Sequence, residues 1–420
     1  MVAPLLAAEP NPLTDSGIKG GLIVHLGCGD AKLTAALRAG DSFVVQGLDA
    51  DAGNVEAARK YIQSLDLYGK VSVELLSGKR LPYVDNLVTL VVSENPDTVP
   101  MDEIMRVLRP LGVACIKQGG QWVKTVKPWP ANIDEWPQHY HGADNNAVAH
   151  DSVVAPPRHY QWTSTPEWSR AHLVLPSIQG LISARGRLFT IEDQASIEHP
   201  ALPGEFTLVA RDTFNGVVLW QHRFPDWHPM NMYVKLLSPQ MMRRVVALDA
   251  GSGQRLWEKS GADTAGYQGS SLAVRGQYVA FYSAKAKTDA GFSMNRDHSD
   301  YNAQGAVVCL DRATGAVRWR KPVQLSLPYC VGAAPVLVLS DTTVYVADAR
   351  VLHTFSLKDG TQLWTGTAKM NHFKPSDLSL TGGVVWTGNS HLRYLKSFEK
   401  SFEGNSRNLL SVMEKSYILK

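Results

Sequence analysis

Four times between residues 210 and 364 a glycine stands four positions ahead of a tryptophan, each time after a short apolar run and a polar turn residue. The segments are Ala210–Trp220 (ARDTFNGVVLW), Ala247–Trp257 (ALDAGSGQRLW), Cys309–Trp319 (CLDRATGAVRW) and Thr354–Trp364 (TFSLKDGTQLW). The pattern reads as a hairpin: a strand, a turn with glycine at positive φ, and a strand ending in a large aromatic. Such a tryptophan can wedge between neighbouring sheets and hold radially stacked blades together. The tryptophan spacings are 37, 62 and 45 residues. A four-stranded blade takes roughly 40–45 residues, so the long interval carries an insertion or a degenerate strand. From about residue 166 onward this β grammar is continuous, and helical periodicity is gone.

The earlier part of the chain reads differently. Residues 16–127 alternate short apolar strands with helical patterns. Strands are expected at Leu22–Leu26, Phe43–Leu48, Val71–Leu75, Leu87–Val92 and Val113–Lys117. Helices are expected at Ala31–Ala39, Gly53–Asp66 and Met101–Leu108. This alternation implies βαβ crossovers and a small doubly wound, Rossmann-like sheet of five strands. The fold class is therefore α/β followed by all-β.

Four motifs lie along that first region. Leu22–Ala31 (LIVHLGCGDA) puts Gly27 and Gly29 between a strand and a helix, where a ligand can approach the backbone and the helix N-terminus. About twenty residues on, the second strand ends in Leu48-Asp49, a carboxylate suited to two ribose hydroxyls. Leu81–Val91 (LPYVDNLVTLV) leads into the fourth strand, and Glu103–Gly112 (EIMRVLRPLG) precedes the fifth. Taken in order, these resemble the class I S-adenosylmethionine (SAM) methyltransferase domain. The resemblance implies SAM as cofactor, with Gly27 and Gly29 beside its methionine part, Asp49 on its ribose and Asp30 adding a polar contact. It also implies methyl transfer to an acceptor that the motifs do not name. Four positions depart from the family pattern. His25 stands for the acidic residue of the first strand, Ala31 for the third glycine, Ser77 for the adenine-side carboxylate, and Leu111 for the first glycine of Pro-Gly-Gly. The domain is expected to run directly from its fifth strand into the next segment, without the family's last two strands. Ser93–Pro96 (SENP), just past strand four, is the candidate acceptor side, with Glu94 or Asn95 facing substrate or forming an ordinary polar loop.

The later repeats resemble the pyrroloquinoline-quinone (PQQ) repeat of quinoprotein-like β-propellers. The whole chain is similar to a bacterial architecture joining a methyltransferase-like domain to such a propeller. PQQ itself is not carried over. Quinone-using members have a vicinal Cys-Cys pair, which this chain lacks, and Asp249 and Asp311 read as turn formers. Residues 166–420 leave room for about six blades, against about six to eight in a closed ring, so an incomplete propeller with open edges is one expectation. Three functional readings follow. The first is a SAM-dependent methyltransferase-like domain joined to a propeller that serves as a binding scaffold. The second is a quinoprotein oxidoreductase. The third is a non-enzymatic assembly module.

Residues 128–165 contain five prolines, with tryptophans and histidines among them, and read as an ordered linker rather than a flexible tether. His139 and His141 with Asp144, His150 and Asp151 could gather a metal, but no third ligand has diagnostic spacing, and aromatic packing explains them. No metal is expected. Trp227-His228-Pro229 reads as a loop over the propeller face. Cys28, Cys115, Cys309 and Cys330 form no metal spacing; a Cys309–Cys330 disulfide or buried thiols are both open. Residues 1–15 read as a disordered end or the remnant of a secretory leader. A leader favours the periplasm or cell envelope, whereas SAM favours the cytoplasm. A net charge of +3 argues against nucleic acid as the main partner, and no apolar run is long enough for a transmembrane helix. The partner is expected to be a small molecule or a protein.

Overall fold

The computed structural model describes residues 11–138, 140–153, 159–166, 178–195, 204–224, 244–260, 272–284, 301–327, 336–347, 351–367, 377–388 and 417–419. The first domain is built on strands β1 (Gly21–Leu26), β2 (Phe43–Asp49), β3 (Val71–Leu75), β4 (Val88–Ser93), β5 (Leu108–Gln118) and β6 (Gln121–Val126). Their order in the sheet is β3-β2-β1-β4-β5-β6. The first five run parallel, and β6 returns antiparallel along β5. β6 corrects the five-strand expectation. Gly119 and Gly120 hold φ of 56° and 83°, so the chain reverses in a tight hairpin instead of leaving the sheet. Trp122 packs on the core from this strand.

Helices α1 (Pro12–Ser16), α2 (Lys32–Ala36), α3 (Ala52–Ser64) and α4 (Met101–Val107) complete the domain. α1 lies in the stretch expected to be irregular. The Asn11 side chain caps it, and Leu13 is buried. α3 buries Val55, Ala58 and Ile62, the apolar stripe of its sequence. Two cores cover the two faces of the sheet, one around Ile23, Val45 and Val92, the other around Val24, Leu48 and Val91. Parallel strands covered on both faces are buried throughout, as β4 is, and its sequence is apolar but for Thr89 and Ser93, whose hydroxyls are hydrogen-bonded.

The repeat region forms antiparallel sheets. The first has order β10-β9-β8-β7, from β7 (Ile178–Ala184), β8 (Arg187–Asp193), β9 (Phe206–Asp212) and β10 (Val218–Arg223). β11 (Arg244–Leu248) pairs with β12 (Arg255–Ser260). A third sheet orders β13 (Ala273–Arg275), β14 (Tyr278–Ala284), β15 (Tyr301–Asp311) and β16 (Val317–Leu327) in sequence. The next does the same with β17 (Val336–Leu339), β18 (Thr343–Ala347), β19 (Val351–Ser356) and β20 (Gln362–Thr367). The last joins β21 (Asp377–Thr381), β22 (Val384–Gly388) and β23 (Tyr417–Leu419).

Three of the four recurrent tryptophans, Trp220, Trp257 and Trp319, occupy equivalent niches, whereas Trp364 is 40% exposed and packs edge-on against Tyr345 of its own sheet. Trp220 Nε1 donates to the Ala250 carbonyl (3.1 Å), Trp257 to Arg312 (2.8 Å) and Trp319 to Leu357 (3.0 Å). Each acceptor lies in the glycine turn of the following sheet, one residue past Asp249, Asp311 and Ser356. Each ring lies over that turn's glycine. A Cβ on Gly253, Gly315 or Gly360 would stand 2.6, 2.7 or 2.6 Å from the ring. Trp162, from the segment read as linker, makes the same contact on the first sheet. Its Nε1 donates to Thr213 (2.8 Å), and its ring covers Gly216. It was missed because no glycine stands four residues before it.

The first glycine turn of the repeats also seats the first domain. Asp249 and Asp311 spend one oxygen on their own turns, accepting from Ser252 and Thr314 respectively. Asp212 does so toward Phe214 N (2.9 Å) but turns its other oxygen across the seam. That oxygen lies 2.6 Å from Arg109 Nε and accepts from Thr89 Oγ1 (3.1 Å). Asn215 donates to the Leu87 carbonyl and to Thr89 Oγ1. Leu219 lies against Gly20. These residues gather at the ends where β1 and β4 begin, so the seam lies at the N-terminal edge of the parallel strands.

Candidate functional site

The opposite, C-terminal edge carries the motif residues. β1 ends in Leu26, and Gly27, Gly29 and Ala31 then take φ of 69°, 50° and 60°. Gly27 and Cys28 donate to the Leu48 carbonyl (2.8 and 3.2 Å), which ties the turn to β2. Ala31 holds the left-handed conformation that glycine adopts freely, at a cost of about 1–2 kcal/mol for an L-residue. A Cβ on Gly27 or Gly29 would meet nothing within 4 Å, so the turn faces open space.

Asp49, the last residue of β2, anchors this turn. Its Oδ2 accepts from Gly29 N at 2.8 Å. Its Oδ1 accepts from Asp51 N (2.9 Å) and Asn54 Nδ2 (3.2 Å). Burial alone would raise its pKa, but the three donors outweigh that and hold the carboxyl below the usual range. A buried, ionised carboxylate thus sits beside an open glycine turn. Asp51 caps α3 through Asn54 N (2.8 Å), which fixes Asn54 beneath Asp49. Sequence reasoning missed Asn54.

Asp30 is exposed and pairs with Lys32 at 2.7 Å, at the rim rather than against Asp49. His25 is buried, 1% exposed, with Nδ1 2.8 Å from Thr34 Oγ1. Burial pulls its pKa down to about 4, against the pull of Glu94 and Asp49, so the ring is neutral at pH 7. Cys28 is buried too, and burial pushes its thiol up to about 12, which removes it as a nucleophile. Ser77 is exposed.

The other two motifs clasp each other. Arg106 donates to both oxygens of Glu103, to Asp85 and to the Leu81 and Tyr83 carbonyls, while Glu103 accepts from Leu81 N. The Arg106 guanidinium holds the Glu103 carboxyl down to about 2. Their role is to fix the crossover from β3 to β4. In the candidate acceptor segment, Glu94 pairs with Lys117 (3.1 Å), and Asn95 caps a turn with Ser93 and Asp97.

The histidine-rich segment is tied by hydrogen bonds. His141 Nε2 lies 2.7 Å from Asp134 Oδ2, which also accepts from His150 N (2.6 Å), and His141 packs edge-on against Trp136. Among the described residues no group of three or more His, Cys, Asp or Glu is placed to hold a metal. His139, Cys330 and Trp227–Pro229 lie outside the described residues; Cys28, Cys115 and Cys309 are buried free thiols. No helix among the described residues is long and apolar enough to cross a membrane.

Residues 23–112 match the family described as methyltransferase domain, and residues 242–396 match the one described as outer membrane protein assembly factor BamB, a PQQ-type repeat. No curated protein matches the chain. Solved structures that are similar include a Methanococcus maripaludis protein assigned as an S-adenosyl-L-methionine-dependent methyltransferase. It is 24% identical over 26% of this chain and 56% of its own, with a TM-score of 0.24. A SAM-dependent methyltransferase from Aquifex aeolicus is 21% identical over 25% of this chain and 60% of its own, with a TM-score of 0.23. A geranyl diphosphate methyltransferase in complex with SAM is 19% identical over 25% and 45%, with a TM-score of 0.23. This chain spans 56% and 60% of the length of the first two.

Proposed function

We propose, for a chain that joins a methyltransferase domain to BamB-type PQQ repeats, that the first domain binds SAM at the tips of β1 and β2 and that the repeats form a propeller-type scaffold. The observation that carries this reading is the Gly29 N to Asp49 Oδ2 bond of 2.8 Å, which fastens an open glycine turn to an ionised carboxylate. The residues fit the cofactor. The bare turn at Gly27 and Gly29 leaves room for its methionine part. Asp49 has acceptor capacity beyond its three donors for ribose hydroxyls. Asp30 lines the rim. When bound, SAM supplies an electrophilic methyl group. The chain's own work is to seat and orient it, and proximity to the acceptor then accounts for most of the rate. Asp49, ionised at the tip of β2 and bonded to no cationic side chain among the described residues, favours a cationic ligand.

The BamB-type match supports placing the repeats in a bacterial cell envelope. The test of the leading reading is calorimetric titration of the chain with SAM and S-adenosylhomocysteine. Saturable binding that is lost in Asp49→Ala is the expected result. Absence of binding at millimolar ligand overturns it in favour of a non-enzymatic assembly module.

A further inference from the structure

Within each four- or three-stranded repeat sheet, the first strand is an edge: among the described residues β7, β13, β17 and β21 each pair with a strand on one side only. An edge with bare N–H and C=O groups invites another chain. Here one stretch, residues 134–138 and 140–145, meets all four. Trp136 N donates to Ser183 Oγ (2.9 Å), and Ser183 N donates to the Trp136 carbonyl (2.8 Å), on β7. The Gln138 side-chain amide does the same on β13, donating to the Val274 carbonyl (2.9 Å) and accepting from Val274 N (3.1 Å). The Ala143 carbonyl accepts from Leu339 N (2.7 Å) on β17. The Asp144 carbonyl accepts from Leu380 N (2.8 Å), and Asn145 Nδ2 donates to the Leu378 carbonyl (3.3 Å), on β21. Ala143 is 2% exposed and belongs to the same core as Ala273 and Leu337.

We infer that the line on which the first strands meet this stretch is an extended-peptide site, and that residues 134–138 and 140–145 are its resident occupant in cis. Recognition is by main-chain edges, the mode that binds peptides by strand addition, with the Gln138 amide standing in for a backbone unit. The repeats therefore assemble on a thread of the same chain. With the thread on these edges, the repeat-family quinone is expected to find no free site along them. This inference is independent of the SAM reading.

Hydrogen exchange on the full chain tests it. Amides of Ser183, Val274, Leu339 and Leu380 are expected to be protected together. Gln138→Ala should speed exchange at Val274 about tenfold while the fold persists, given two lost bonds. Ala143→Asp should release Leu339 and Leu380 in the same way. PQQ with calcium should give no saturable change in tryptophan fluorescence. Exchange at the four edge amides as fast as in an unpaired strand, or saturable PQQ binding to the unmodified chain, overturns the inference.

Discussion

Replacing Asp212 by Asn isolates what holds the two halves together. The carboxylate is wholly buried, and the Arg109 side chain beside it is 12% exposed. The 2.6 Å approach of Arg109 Nε lies off the N–H axis, so the contact is an ion pair rather than an aligned hydrogen bond. Asparagine keeps the shape and can still accept from Phe214 N, but it leaves the guanidinium buried and uncompensated. Breaking such a pair from one side costs about 3–5 kcal/mol. Removing both partners, as Asp212→Asn with Arg109→Met, takes away the orphaned charge, so the double variant should recover most of that loss. A coupling of about 2–3 kcal/mol in the four-member cycle is expected, read by urea unfolding with separate probes for each half. A single-variant loss under about 1 kcal/mol, or a coupling near zero, would refute the argument that the seam rests on this pair.

Other perturbations act at separate sites. Gly253→Ala combines a φ of 72° with a Cβ 2.6 Å from the Trp220 ring and should cost about 2–5 kcal/mol in thermal or urea unfolding. Gly27→Ala has the same sign of φ but open space, so stability should fall by only about 1–2 kcal/mol while SAM affinity drops measurably in calorimetry. Trp319→Ala, at 7% exposure, should cost about 3–5 kcal/mol. His25 has its pKa lowered to about 4 in the folded state, so the unfolded chain binds the extra proton first. Stability is then full above pH about 6.5 and falls as pH drops toward 4, by about 3 kcal/mol in all. A His25→Gln variant should flatten that limb of an unfolding curve measured against pH.

Alternation of apolar runs made β1 to β4 and α3 legible to within a residue or two, because the strands are mostly buried and so are largely apolar, and α3 shows its buried stripe at helical spacing. β6 escaped notice. None of its residues is fully buried, Lys124 and Thr125 interrupt its apolar ones, and only the Gly119-Gly120 pair marks the reversal. Asp49 was legible from its distance beyond Gly29, but Asn54 was not, since its part depends on Asp51 capping α3. The four tryptophans announced themselves by their glycines, whereas the glycine that receives Trp220, Trp257 or Trp319 belongs to a different sheet. Pairing across that distance is tertiary information. The thread at 134–145 was readable as ordered from its prolines and aromatics, and its contacts with four strand edges were beyond any local pattern.

The seam lies at the beginnings of the parallel strands, and none of its contacts among the described residues reaches the loops at the far ends, where Gly27 and Gly29 face open space. Insertions or exchanges in those loops can retarget what approaches Asp49 without disturbing Arg109 or Asp212. Changes at that edge of the sheet are thus separable from the joint at the other.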